Sequence, residues 1–142
     1  MTARKAYGVD MGWLSQLESR GIRWVDGNQQ EVDPIRMVKE MGADSVRFRI
    51  FVNPPKDAYW KKDGETVCML GFCDAASVLE VSKRVRDEGM RLMLDFHYSD
   101  YFADPQHQDI PEEWRQDSPE QLTERVYQHT KDVMSLFVQN DV

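Results

Sequence analysis

The chain predicts an α/β fold, the N-terminal portion of a (β/α)8 barrel comprising strands one to three and their helices. Three observations predict it. Strand and helix signals alternate along the sequence, the βαβ order of a parallel sheet. An apolar run from Met90 to Phe96, broken only by Arg91 and Asp95, ends abruptly in His97, Ser99, Asp100 and Asp104, interleaved with Tyr98, Tyr101 and Phe102. Parallel barrels place their functional groups at that end of a strand. The length of 142 residues suits one domain but is short of the roughly 250 of a complete barrel. The expectation is one partial domain over residues 1–142, the first third to half of a barrel.

The elements follow in order. Ala6 to Val9 reads as a short first strand, and Gly12 to Glu18 as a helix that Gly21 ends. Ile22 to Val25, followed by Asp26-Gly27-Asn28, predicts a small hairpin with Asp-Gly as its turn. Asp33 caps a second helix with Pro34 at its first position. It runs to about Met41, and Gly42 ends it. Ser45 to Val52 is the second strand. Residues 53–73 read as a long loop containing Pro54, Pro55, Asp63-Gly64 and Gly71, with Trp60 to Gly64 as its exposed tip. Asp74 caps the next helix, whose Val78, Val81 and Val85 share one face, and Gly89 ends it. The third strand is followed by a second long loop, from Tyr98 to about Asp117. Ser118-Pro119-Glu120-Gln121 is a capping box. Leu122, Val126, Val133, Met134 and Phe137 give the last helix its apolar stripe. Both long loops follow strands, as expected when strand-to-helix loops carry function.

Composition narrows the function classes. Hydrophobic residues at 41% and charged residues at 30% suit a packed core and argue against disorder. A net charge of −7 argues against nucleic acid and anionic membranes as partners, since both need a basic face. No apolar run approaches the ~20 residues of a membrane span. Met1 to Lys5 leads into the first strand with no apolar signal segment. Cys68 and Cys73 make no disulfide framework and lack the partners of a zinc site, so two reduced thiols are expected.

The string Leu94-Asp95-Phe96-His97-Tyr98-Ser99-Asp100, with Ala103-Asp104-Pro105, closely resembles the third strand and loop of glycoside hydrolase family 53, which contains the arabinogalactan endo-β-1,4-galactanases. Three further stretches are similar to that family in the same order: Tyr7 to Leu14, Ser45 to Pro54, and Gly71 to Asp74. The resemblance implies a (β/α)8 barrel that cuts β-1,4-galactan with retention through a covalent glycosyl-enzyme. It implies water as the only cosubstrate, no cofactor, and no metal held by these residues. Its two catalytic glutamates belong to the fourth and seventh strands, so they are expected beyond Val142. It also implies an extracellular or periplasmic location, with a cytoplasmic one left open by the missing signal segment.

Arg47 and Arg49 alternate with Phe48, so both are expected to point into the barrel. An inward charge needs a partner, and Asp10 and Asp95 are the candidates. By resemblance, Arg47 orients the nucleophilic glutamate and keeps it ionised. His97, by the same resemblance, lines the subsite where the bond is cut. These are the supporting residues. Substrate contacts are implied for Asp10, Asn53, Asp100, Phe102, Asp104 and Trp114. Asp10, Asp100 and Asp104 are equally suited to bracing the loop, Asp104 to a turn before Pro105, and Trp114 to anchoring the loop. Phe102 stands where the family has Trp, and Tyr101 where it has Thr, so stacking area on a sugar changes. His107 and His129 receive no role.

Other classes stay open. One is a polysaccharide-binding half-barrel that does not cut. Another is self-association through the apolar inner face and open edge of a partial barrel. Within the same clan, a mannanase or xylanase is the alternative, and the Asp95–Asp100 string argues against it.

Overall fold

A computed structural model describes residues 5–55, 59–62, 65–69 and 72–142, with backbone alone for 59–62 and 65–69. The order is β1 (Gly8–Asp10), α1 (Leu14–Ser19), β2 (Trp24–Val25), β3 (Glu31–Val32), α2 (Pro34–Glu40), β4 (Ser45–Ile50), β5 (Tyr59–Lys62), β6 (Glu65–Met69), α3 (Ala75–Asp87), β7 (Arg91–Phe96), a 3₁₀ turn (Glu112–Trp114) and α4 (Pro119–Gln139). Strands β1, β4 and β7 form a parallel sheet in that order, with Asp10 beside Arg47 and Arg49 beside Asp95. These are the three barrel strands expected.

Local chemistry explains the helix starts. Asp33 accepts the N–H groups of Ile35 and Arg36, and Pro34 has no N–H to satisfy. Asp74 accepts the Ser77 N–H at 3.0 Å. Ser118 and Gln121 close a reciprocal capping box. Gly42 and Gly89 stop α2 and α3 with φ of 101° and 66°, a region where a Cβ is strained.

The sheet has two unlike faces because side chains alternate along a strand. Val46, Phe48 and Ile50 of β4 are buried, and Leu92, Leu94 and Phe96 of β7 pack against the same cluster. Val78, Val81 and Val85 of α3, Ile35 of α2, and Val133 and Phe137 of α4 complete this core. The opposite face carries Asp10, Arg47, Arg49 and Asp95. The expectation of an apolar inner face is therefore corrected. Among the described residues that face is ionic, with Met93 as its exposed apolar side chain.

Other expectations change. Within the loop expected over 53–73, β5 and β6 pair antiparallel. Trp60 to Lys62 lie in β5 rather than in a loop tip, while Asp63 and Gly64 lie outside the described residues. Asp-Gly between alternating segments is a hairpin signal, which the neighbouring prolines outweighed in the loop reading. The β2–β3 turn spans Asp26 to Gln30 instead of closing on Asp26-Gly27 alone. The Asp26 carboxylate accepts the N–H groups of Asn28 and Gln30, and Gln29 takes the positive φ of 64°. Met134 is exposed, so the inward stripe of α4 excludes it. Cys73 is buried, and the Cys68 side chain lies outside the described residues.

Candidate active site

The carboxyl ends of β1, β4 and β7 open on one side of the sheet, and a line of charges leads up to them. Arg49 donates to both oxygens of Asp10, at 3.0 and 2.7 Å. Arg47 sits between Asp10 and Asp95, with Nη2 3.0 Å from Asp95 Oδ2. Its Nε lies 3.2 Å from Asp10 Oδ2 but is misaligned for a hydrogen bond, so that contact is an ion pair only. Asp95 Oδ2 lies 3.4 Å from His97 Nε2. The sequence Arg49, Asp10, Arg47, Asp95 thus alternates in sign along the inner face, with His97 at its end. Each inward arginine meets the partners that alternation demanded.

Arg49 is nearer the strand ends than Arg47. Its guanidinium lies 5.4 Å from the Phe102 ring centroid, a cation–π contact. The His97 ring packs against Phe102 at 5.2 Å and against the edge of Phe51 at 5.3 Å. The Ala103 N–H donates to His97 Nδ1. Phe102, 40% exposed, leaves ring surface open to a ligand.

Several residues expected at the substrate are committed to the scaffold instead. Asp100 is 7% exposed. Its Oδ1 accepts the Asn53 N–H at 3.0 Å and its Oδ2 the Glu112 N–H at 2.9 Å. It ties the loop after β4 to the loop after β7, the bracing role that the sequence offered beside a substrate contact. Trp114 is 5% exposed and packs on the His129 ring, the contacts of a loop anchor. Asp104 accepts the N–H groups of Gln106 and His107, at 2.7 and 2.9 Å. Those backbone donors, the Gln106 N–H first, and then His107 hold its carboxyl below the usual aspartate range. Asp104 organises a turn. Asn53 remains exposed, with its side-chain amide on Glu113 at 3.2 Å.

His129 joins an aromatic cluster of Phe96, Tyr98 and Trp114. Burial lowers its pKa, against a smaller opposing effect of Asp132. Two residues that the sequence reading passed over also reach the strand ends. Trp13, directly after β1, is 41% exposed, and Gln16 is buried beneath it in the same cleft as Arg49 and Phe102. The signal for Trp13 was its place, three residues past Asp10. Among the described residues no cluster of His, Cys, Asp or Glu could hold a metal ion.

Comparison with known proteins places this geometry. Over 142 residues the chain is 34% identical to a probable arabinogalactan endo-beta-1,4-galactanase A of Neosartorya fischeri, covering 99% of this chain and 36% of that protein. It is 33% identical to an arabinogalactan endo-beta-1,4-galactanase of Cellvibrio japonicus, covering 90% of this chain and 31% of that protein. A solved structure of a fungal beta-1,4-galactanase superposes with a TM-score of 0.84 at 28% identity, covering 99% of this chain and 38% of that one. The chain thus spans about a third of the length of these relatives, and its fold is the N-terminal portion of a (β/α)8 barrel. Residues 6–142 match the profile of glycosyl hydrolase family 53, and the chain belongs to that family.

Proposed function

We propose that this chain supplies the first three strands and part of the substrate groove of an endo-acting hydrolase that cuts β-1,4-galactan with retention. The observation that carries the reading is the ionic inner face ending in His97 and Phe102 at the strand ends, in a chain of this family. Retention needs two carboxyl groups about 5–5.5 Å apart, one acid/base and one nucleophile. Asp10 and Asp95 are both bound to Arg47, so they serve as its counter-ions. In this reading the catalytic glutamates lie outside residues 1–142.

Each residue then has a task. Arg47 and Arg49 place positive charge beside the nucleophile and favour its ionised form. Arg49, nearer the strand ends, shares that role with Arg47. His97 lines the cleavage subsite with its Nε2 edge. Phe102 offers a ring to the C–H face of a sugar, and Asp10 and Asn53 border the groove. Asp100, Asp104 and Trp114 hold the loop that carries Phe102. A polymer this large does not cross a membrane unaided, so the reading puts the protein outside the cytoplasm.

Calorimetric titration tests the reading. β-1,4-Galactotetraose is expected to bind the chain more tightly than cellotetraose or mannotetraose, with no reducing ends released by residues 1–142. Preference for either other sugar overturns the galactan assignment. Hydrolysis by these residues alone overturns the placement of the catalytic pair. In a protein joining these residues to strands four to eight, proton NMR should show the β anomer as first product, and the α anomer overturns retention.

A further inference from the structure

Trp13, Phe102, Phe51, Arg49 and Gln16 line one narrow cleft at the strand ends. Two of these features are unexplained by packing. Trp13 is a large apolar ring left 41% exposed. Gln16 is only 5% exposed and lines the cleft, and its side-chain amide, which makes no hydrogen bond to the described residues, is left to solvent there. The buried polar atom without a partner among the residues lining this cleft is Nε of Arg49, and native proteins keep such atoms few. An exposed ring beside an amide that no protein group engages describes a surface for a ligand that is apolar on one side and hydroxylated on the other.

We infer that Trp13 is a specificity-determining platform, and that the cleft it shares with Phe102 is a pyranose subsite whose polar contacts are Gln16 and Arg49. The inference rests on the galactan reading above and names a subsite within it. The enclosed part of the cleft is about 10 Å³, room for about one water and far too little for a sugar. The sugar therefore lies across the mouth, its C–H face on Trp13, and a hydroxyl displaces the water above Gln16. Galactose suits this placement. Its axial O4 leaves the C–H bonds at C3, C4 and C5 together on one face, whereas glucose and mannose divide theirs between both faces.

Gly12 is part of the same device. A Cβ there would fall 2.4 Å from Arg49 Nη1 and 3.3 Å from Asp10 Oδ1. The missing side chain leaves room for the Arg49 guanidinium beside the Phe102 ring while it holds Asp10 with both terminal nitrogens. The turn after β1 thereby brings Trp13 up to the groove without pushing Arg49 out of it.

Calorimetric titration of the full chain with β-1,4-galactotetraose tests the subsite. Trp13→Ala is expected to weaken binding tenfold or more, Trp13→Phe to restore most of it, and Gln16→Leu to weaken it several-fold. Tyr127→Ala, which removes an exposed ring of α4, is expected to change nothing. Thermal unfolding of each variant confirms the folded state, and Trp13, being exposed, tolerates replacement. Tetraose binding that is unchanged in Trp13→Ala overturns the subsite and leaves the galactan reading intact. Trp13-dependent binding of cellotetraose in place of galactotetraose supports the platform and overturns the galactan reading. Absence of binding to any of the sugars overturns both.

Discussion

The backbone N–H of Ala103 donates to Nδ1 of His97 at 3.1 Å. A ring nitrogen that accepts a hydrogen bond carries no proton, so the proton of the neutral ring sits on Nε2, the nitrogen facing Asp95. The third loop thus sets the chemical identity of the strand-end histidine. Proton–nitrogen correlation spectra of the neutral ring should show Nε2 protonated and Nδ1 bare. The opposite tautomer would mean that Ala103 does not make this bond in solution.

Asp100 should be the most costly single position in the mouth. Its removal orphans two backbone N–H groups 59 residues apart in sequence, at Asn53 and Glu112. Each unmatched buried donor costs about 1–3 kcal/mol, so Asp100→Ala is expected to lose about 2–4 kcal/mol in urea unfolding. Amide exchange should accelerate at Asn53 and Glu112 first. Asp100→Asn retains one acceptor oxygen and should lose about half as much.

Arg84 links three elements outside the barrel. It donates to both oxygens of Glu18, at 2.9 and 3.0 Å, and to Asp33 at 2.9 Å, so α3 is tied to α1 and to the cap of α2. Burial works against its charge, while Glu18 and Asp33 together outweigh that and raise its pKa. All three side chains are about a third exposed, so solvent screens the gain. Arg84→Met should lose about 1 kcal/mol, and high salt should shrink the difference from the parent chain.

His129 should make stability depend on mild acid. Its folded pKa is lowered from 6.5, chiefly by burial among aromatic rings. At higher pH the ring is neutral in both states, and the folded state loses nothing. As pH falls through 6.5 the unfolded chain takes up the proton more readily than the folded chain, so stability falls. His129→Phe should flatten melting temperature between pH 7 and about 5, the window set by the unperturbed histidine value. A parent chain and variant with parallel pH profiles would remove His129 from this role. Asp26, Asp44, Glu88 and Asp104 have lowered pKa values and act in the opposite window, losing stability only as pH falls through the carboxylate range.

What the sequence disclosed follows from the range of each interaction. Asp33-Pro34, Asp74 and Ser118 act within three residues of themselves, and each cap was readable in place. The inward direction of Arg47 and Arg49 followed from strand alternation. Their exact partners did not, because that depends on the lateral register of three strands, which no single stretch encodes. The Asp100 brace was hidden for the same reason, since both donors come from other segments. The β5–β6 hairpin was legible in Asp63-Gly64 but lost among prolines that signal a loop. Gln16 gave no signal at all, because a polar residue early in a short helix looks solvent-facing until the tertiary fold covers it.

The alternating charges on the concave side of the sheet bear on how such a chain is made. A ribosome releases these strands before any that follow them, and domains begin to fold from the N-terminal end. A barrel whose lumen were oily would expose that lumen to chaperones and to other nascent chains throughout the wait. Here Asp10, Arg47, Arg49 and Asp95 neutralise one another while still welcoming water. A sheet of these three strands thus turns paired charges to solvent on one side, while helices already cover its greasy side.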